Sequence, residues 1–349
     1  MTKRLTVLDF WRGLAIFCVI IDHLFAWINI PDQYQIYHQY FIFSVAPLFF
    51  LAGVTFALSW NKKPLSLQAK SSRQKLKTTT SYYWHKVHSL ILSYLVVVLI
   101  TMLWNHQPLT LKSYLDTLLA FPHQFYFILI YLQLLAIAPI LAHYIKKFCH
   151  FSSKKHSNTA FWLFSLAILI FSLICNHLPV FDPKIYLPGR LLFGGIELFI
   201  FYCGQVTGFF GLKCLQPDEN WRPFYCLMGF FGLIAMQQTG FINQIFTHPP
   251  ALATICYCSC LSLLVLACYP ACKHYLSWPT KLITISGQQS LTIFLYHGLI
   301  IEKILHYFPV IFTWPVLTQF VTLFAATLII CLLISKISAI IRPKTIHSS

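Results

Sequence analysis

Ten residues separate Arg12 from His23 in a stretch that is otherwise apolar, with Asp9 ahead of the arginine and Asp22 directly before the histidine. Ionisable side chains are costly in a segment fit to cross a membrane, so their presence there points to a working site. Eleven residues at 100° each return His23 to within roughly 20° of Arg12, about 16 Å further along a helix axis. Asp9, three residues before Arg12, shares that face. An arginine can hold a phosphate or carboxylate through two parallel hydrogen bonds. A histidine in a dry cavity can take the proton of a hydroxyl or an amine. Asp22 projects about 100° away from His23 and cannot orient its neighbour's ring. The plainer alternative is an Asp9–Arg12 salt bridge with a core histidine bonded to a carbonyl, and the residues alone leave both open.

A second constellation is Ser286-Gly287-Gln288-Gln289-Ser290, followed by Tyr296-His297. Ser290 and His297 are seven residues apart and share a helix face, which suits either a wall of the same cavity or a polar packing seam between helices. Glu197 is a further lone acid in an apolar run, with Arg190 or Arg12 as conceivable partners. The candidate catalytic residues are therefore His23, Arg12 and Asp9, and the candidate substrate-binding residues are Asp22, Ser290, Tyr296, His297 and Glu197. The cysteine pairs Cys256/Cys260 and Cys268/Cys272 have helical spacing but no adjacent histidine or carboxylate, so no metal site and no bound cofactor is expected. His177 and Asp182 form an H-x4-D pattern across Pro179 and read as coincidence.

The elements that must carry these residues are membrane helices. The chain has 349 residues, 58% of them hydrophobic and only 10% charged, with a mean hydropathy of +0.68. That composition predicts an all-α, polytopic helix bundle in a single membrane domain over 1–349, with a helical core from about 5 to 342. Apolar runs place about ten spans near 8–30, 40–60, 88–105, 124–145, 160–177, 190–212, 223–238, 250–271, 282–305 and 314–341. The run 109–122 is a short or re-entrant piece. Threaded with the N-terminus inside, the basic residues fall almost wholly in inner loops and tails, and only Lys112, Lys184 and Arg190 lie outside. Both termini are then cytoplasmic. The net charge of +16 reports topology and contact with the lipid bilayer, not a nucleic-acid partner. The polar stretch 61–88 reads as a solvated cytoplasmic loop or as an electrostatic guide for an anionic donor. Pro47 and Pro139 are expected to kink their helices. The outer segments 181–190 and 237–250 are polar and could touch an acceptor.

The run Leu8-Asp9-Phe10-Trp11-Arg12-Gly13-Leu14-Ala15, with Asp22-His23 after it, resembles the opening of the acyltransferase-3 superfamily of integral membrane acyltransferases. Its Asp-Phe-Trp-Arg-Gly wording is similar to the periplasmic-glucan succinyltransferase branch. Pro47-Leu48-Phe49-Phe50-Leu51-Ala52-Gly53 is similar to the family's second helix, with Ala52 in place of the usual serine. Gly287, Ser290-Leu291 and Tyr296-His297 resemble its late Ser-Tyr-His helix. Thr247-His248-Pro249-Pro250-Ala251-Leu252 is similar to a block of the heparan-glucosaminide N-acetyltransferase-like group. The resemblance spans residues 5 to about 340 and is densest in 8–53 and 286–297. It implies transfer of an acetyl- or succinyl-type group from cytoplasmic acyl-CoA, as co-substrate, to a glycan, glycolipid or other acceptor beyond a bacterial-type inner (plasma) membrane. His23 would be the general base, Arg12 would hold the donor, and Ser290 and His297 would line the site. The competing reading is a transporter or flippase for a polar lipid or sugar, with Arg12, His23 and Glu197 as substrate or proton-relay groups. A third is a structural scaffold, which has no need of a polar stripe. No internal repeat of the kind common in transporters is present, which favours the enzyme.

The topology has a direct check. Single cysteines placed in 61–88 and in 239–249 are expected to react with a membrane-impermeant thiol reagent from opposite sides. Labelling of both from the same side would refute the ten-helix threading.

Overall fold

The structure, a computed structural model, describes residues 5–28, 30–35, 37–41, 45–61, 72–120, 126–150, 155–176, 192–240 and 252–341. The His177/Asp182 pattern, the outer segment 181–190 with Lys184 and Arg190, and most of the 247–252 block lie outside the described residues. In chain order the helices are α1 (Thr6–Trp27), α2 (Asp32–Gln35), α3 (Val45–Asn61), α4 (Ser72–Trp104), α5 (Leu111–Ala120), α6 (Tyr126–His150), α7 (Lys155–Cys175), α8 (Ile196–Phe210), α9 (Arg222–Gln238), α10 (Leu252–Tyr275), α11 (Ser277–Gln288), α12 (Ser290–Tyr307) and α13 (Val316–Ile341). Among the described residues there is no strand. Phe127–Phe148, Leu252–Tyr275 and Val316–Ser338 are long and apolar enough to cross a membrane, and Val45–Trp60, Leu90–Trp104, Thr159–Cys175 and Ile196–Phe210 are shorter apolar helices.

Three expectations from the sequence change here. The stretch 61–88 is not a loop throughout, because α4 begins at Ser72 and runs for 33 residues. No glycine or proline interrupts Ser72 to Trp104, so hydrogen bonding propagates from the apolar half into the basic one. The span 282–305 is two helices, with Gln289 as the single residue between them at φ −105° and ψ 15°. Ser286 and Gly287 just before the joint are weak helix formers, and the Gln289 side chain is taken by Ser335 of α13. Pro47 is the third residue of α3, in the first turn, where its missing N–H has no partner to lose. It therefore starts that helix instead of kinking it. Pro139 does sit inside α6.

The described chain forms two compact units, 1–45 with 268–349 and 46–267. In the first, α1 packs against α11, α12 and α13. The contact with α11 is made by bare backbone. A Cβ on Gly13 would lie 1.9 Å from the carbonyl oxygen of Ile283, and one on Gly287 would lie 1.7 Å from that of Asp9. Small residues at such crossings let helices approach closely where no water is present to drive association. Phe17 meets Phe324 of α13 edge-on at 5.2 Å.

The second unit repeats this device between α3 and α8. A Cβ on Gly53 would stand 2.2 Å from the Phe201 carbonyl oxygen, and one on Gly204 would stand 2.1 Å from that of Phe50. The chain enters α8 through Phe193, Gly194 and Gly195, all at positive φ (54°, 77° and 58°). Asn176 Oδ1 accepts from the Ile196 N–H at 3.0 Å, and Gln133 Oε1 accepts from the Phe193 N–H at 2.9 Å. These side chains satisfy backbone donors that an apolar surrounding would otherwise leave unpaired.

The glycine contact between α1 and α11 predicts an unequal pair of substitutions. Gly287→Ala forces a Cβ into the Asp9 carbonyl and is expected to cost at least the 1–3 kcal/mol of roughly typical overpacking. Gly211→Ala, whose nearest new neighbour is 3.3 Å away, is expected to lower the thermal midpoint of the detergent-solubilised protein far less. Equal midpoints for the two variants would contradict the backbone contact.

Candidate active site

α1 carries its polar residues on a helix that is otherwise built into the core. Val7, Leu8, Phe10, Trp11, Ala15, Ile16, Val19, Ile20 and Leu24 are all buried, which fixes the helix's rotation and with it the direction of the polar stripe. Asp9 is buried at 4% exposure, and Arg12 Nη1 donates to its Oδ1 at 3.1 Å. The Arg12 side chain keeps 20% of its surface exposed. The salt bridge that the sequence offered as the plainer reading is therefore formed, and it holds the guanidinium in one orientation next to the surface it still exposes.

At the other end of the stripe the structure brings two imidazoles together. The His23 and His297 rings lie 4.8 Å apart, centroid to centroid, at an interplanar angle of 56°. Trp27, one turn on, closes over His23 at 5.9 Å. His297 is fully buried, and its Nδ1 faces two backbone carbonyl oxygens of its own helix, those of Ile293 at 3.0 Å and Phe294 at 2.8 Å. Carbonyl oxygens only accept, so Nδ1 must carry the hydrogen. In the neutral ring Nε2 is then a bare lone pair, and it has no hydrogen-bond partner among the described residues. A buried acceptor without a donor costs stability, and this one stands beside the residue whose spacing marked it as a base. Two imidazoles placed this way can both serve a substrate hydroxyl or amine, one through a lone pair and the other through a lone pair or an N–H.

The remaining candidates separate. Ser290 is the first residue of α12, about two turns before His297, and Tyr296 is the half-buried residue immediately before it. The Asp22 carboxylate is hydrogen-bonded to a different histidine. Its Oδ1 bonds His38 Nε2 at 2.7 Å, with both side chains partly exposed, at 30% and 27%. Glu197 lies in the second unit, in the first turn of α8. It is 4% exposed, and its Oε2 has no hydrogen-bond partner among the described residues.

His38 is the residue the sequence reading missed. It sits in a 3-10 turn, His38–Tyr40, after a Pro-Asp start and amid tyrosines and glutamines. Its only sequence signal was a histidine in a short polar stretch that follows the helix carrying Asp22. Phe25 stacks on its ring at 5.1 Å and only 6° from parallel.

A family model for an acyltransferase domain, acyltransferase-3, matches residues 5–336. The match runs from the start of α1 into α13, so it takes in both compact units. No curated protein matches the chain.

The hydrogen placement on His297 is testable without any substrate. In bilayer samples labelled with 15N-histidine, the His297 signal, identified by its loss in His297→Gln, is expected to show a protonated Nδ1 and a bare Nε2. The reverse tautomer would refute the assignment.

Proposed function

The chain belongs to the acyltransferase-3 family, and from that premise we propose that it moves an acetyl- or succinyl-type group from cytoplasmic acyl-CoA to a carbohydrate-type or other extracytoplasmic acceptor, with His23 as general base. The observation that carries the site assignment is the stripe on α1, which has a pre-oriented guanidinium near its start and a two-histidine pair near its end. Arg12 takes a phosphate of the donor, where a planar fork suits tetrahedral oxygens better than an ammonium would. Asp9 positions it. His23 lies about 16 Å further along, a distance the extended pantetheine arm of coenzyme A spans.

His23 accepts the proton of the acceptor hydroxyl or amine through its lone pair. The acceptor atom attacks the thioester carbonyl, and the tetrahedral adduct then expels the thiolate as the carbon–sulfur bond breaks. The thiolate takes the proton back from the His23 imidazolium, so no charge is left in the site. His297 Nε2 receives a hydrogen bond from the acceptor or from His23 and holds the reacting groups in register. Asp22, Ser290 and Tyr296 are assigned to the acceptor's surroundings and to no proton transfer. Glu197, in the second unit, is assigned no step. The setting is an inner (plasma) membrane with both termini cytoplasmic, as the placement of basic residues supports.

His23→Ala is expected to reduce kcat about 10²–10⁴-fold with the protein still folded in the membrane. Arg12→Lys keeps the charge but loses the fork, and is expected to raise the donor KM more than the acceptor KM. The measurements are acyl-CoA binding and transfer by purified wild-type and variant protein. Wild-type protein that is well folded yet binds neither acetyl- nor succinyl-CoA would overturn the donor assignment, and near-normal turnover in His23→Ala would overturn the base.

A further inference from the structure

Beyond His23, the end of α1 opens on a cavity of about 590 Å³ that none of these steps uses. Its walls include Phe25 of α1, Tyr34 of α2, Tyr37 and Phe41 on either side of the His38–Tyr40 turn, and Leu317 and Phe320 of α13. The only polar atoms these side chains carry are the two tyrosine hydroxyls, and both tyrosines are about half exposed, Tyr34 at 46% and Tyr37 at 52%. Phe25 is the shared wall. Its ring lies flat on His38, which bonds Asp22, and meets Phe320 nearly edge-on at 5.5 Å.

We propose that this cavity is a subsite for the hydrocarbon chain of a membrane-resident acceptor, a lipid whose head bears the hydroxyl or amine to be acylated. The proposal rests on the acyl-CoA-dependent reading above and deepens it by naming the class of acceptor. The lining is the first argument. A free sugar in a carbon-lined cavity would leave its hydroxyls without partners, which is expensive, whereas an alkyl chain needs only shape and dispersion contact. The rim is the second. Half-exposed tyrosines with apolar bodies and polar tips are the side chains of a membrane interface, the level at which a lipid's head joins its chain. Position is the third. Phe25 stands about 20 Å along the helix from Arg12, so a chain seated here does not compete with the charged end of the donor.

The test uses the full-length protein in nanodiscs of phosphatidylcholine and phosphatidylglycerol, and a hexadecanol carrying a photoreactive diazirine at mid-chain. Labelling is expected to concentrate on peptides covering 30–41 and 316–320, severalfold above the outward-facing Ile329, Leu333 and Ile337 of α13, which are each more than half exposed. Leu317→Trp, at the exposed rim, and Phe320→Trp, deeper in, are expected to cut that labelling severalfold. Labelling equal to that of the outward-facing stretch, or unchanged by both substitutions, would mean annular lipid only and would overturn the subsite. Protection by a water-soluble sugar but not by unlabelled hexadecanol would overturn it too, by reassigning the cavity to a sugar ring. The transferase reading fails separately: concentrated, substitution-sensitive labelling in a protein that binds no acyl-CoA would uphold the subsite while removing the acylation.

Discussion

The first unit rests on one steric condition, that α1 and α11 touch through backbone at Gly13 and Gly287. Any side chain there would have to occupy the space of a carbonyl group. Inside a membrane no hydrophobic force draws two helices together, so close approach and the dispersion contacts it allows supply the attraction. The contact sets the register of α11 on α1. Only Gln289 separates α11 from α12, and the same glutamine is tied to Ser335 of α13. The position of His297 opposite His23 is thus inherited from a glycine contact at Gly287, earlier in the chain on α11.

The second unit applies the same physics to a different task. Gly53 and Gly204 bring α3 and α8 into backbone contact, and three successive positive-φ residues turn the chain into α8. Gly195 is obligatory on two grounds. Its φ lies in the region glycine favours, and a Cβ there would stand 1.8 Å from Asn176 Oδ1, the atom that satisfies the first N–H of the helix. Gln205 Nε2 likewise serves the backbone, donating to the Ala138 carbonyl at 3.1 Å.

Much of this was legible in the sequence where the signal was periodic. An all-helical membrane chain followed from composition, and the common face of Asp9, Arg12 and His23 followed from helical spacing. The joint at Gln289 was half legible, because the polar run Ser286–Ser290 marks it, but the tie to Ser335 that holds it is 46 residues distant. The Asp22–His38 pair was half legible. Adjacency showed that Asp22 points away from His23, but its actual partner depends on how the chain returns after Pro31. The helical start of α4 was hidden by its polarity, since basic and threonine-rich stretches read as loops until an apolar continuation anchors them. Glu197 was legible only as an oddity: a lone acid in an apolar run is unusual, but its compact unit is set by contacts far away in sequence.

His297 takes its tautomer from the carbonyl oxygens of Ile293 and Phe294, which every residue type possesses. In enzymes that orient a histidine with a carboxylate, one base change in the gene can abolish the orienting group. Here no substitution at positions 293 or 294 removes it as long as the helix persists. The hydrogen placement on the buried imidazole is therefore a property of the main chain, shielded from every side-chain substitution that leaves His297 and its helix intact.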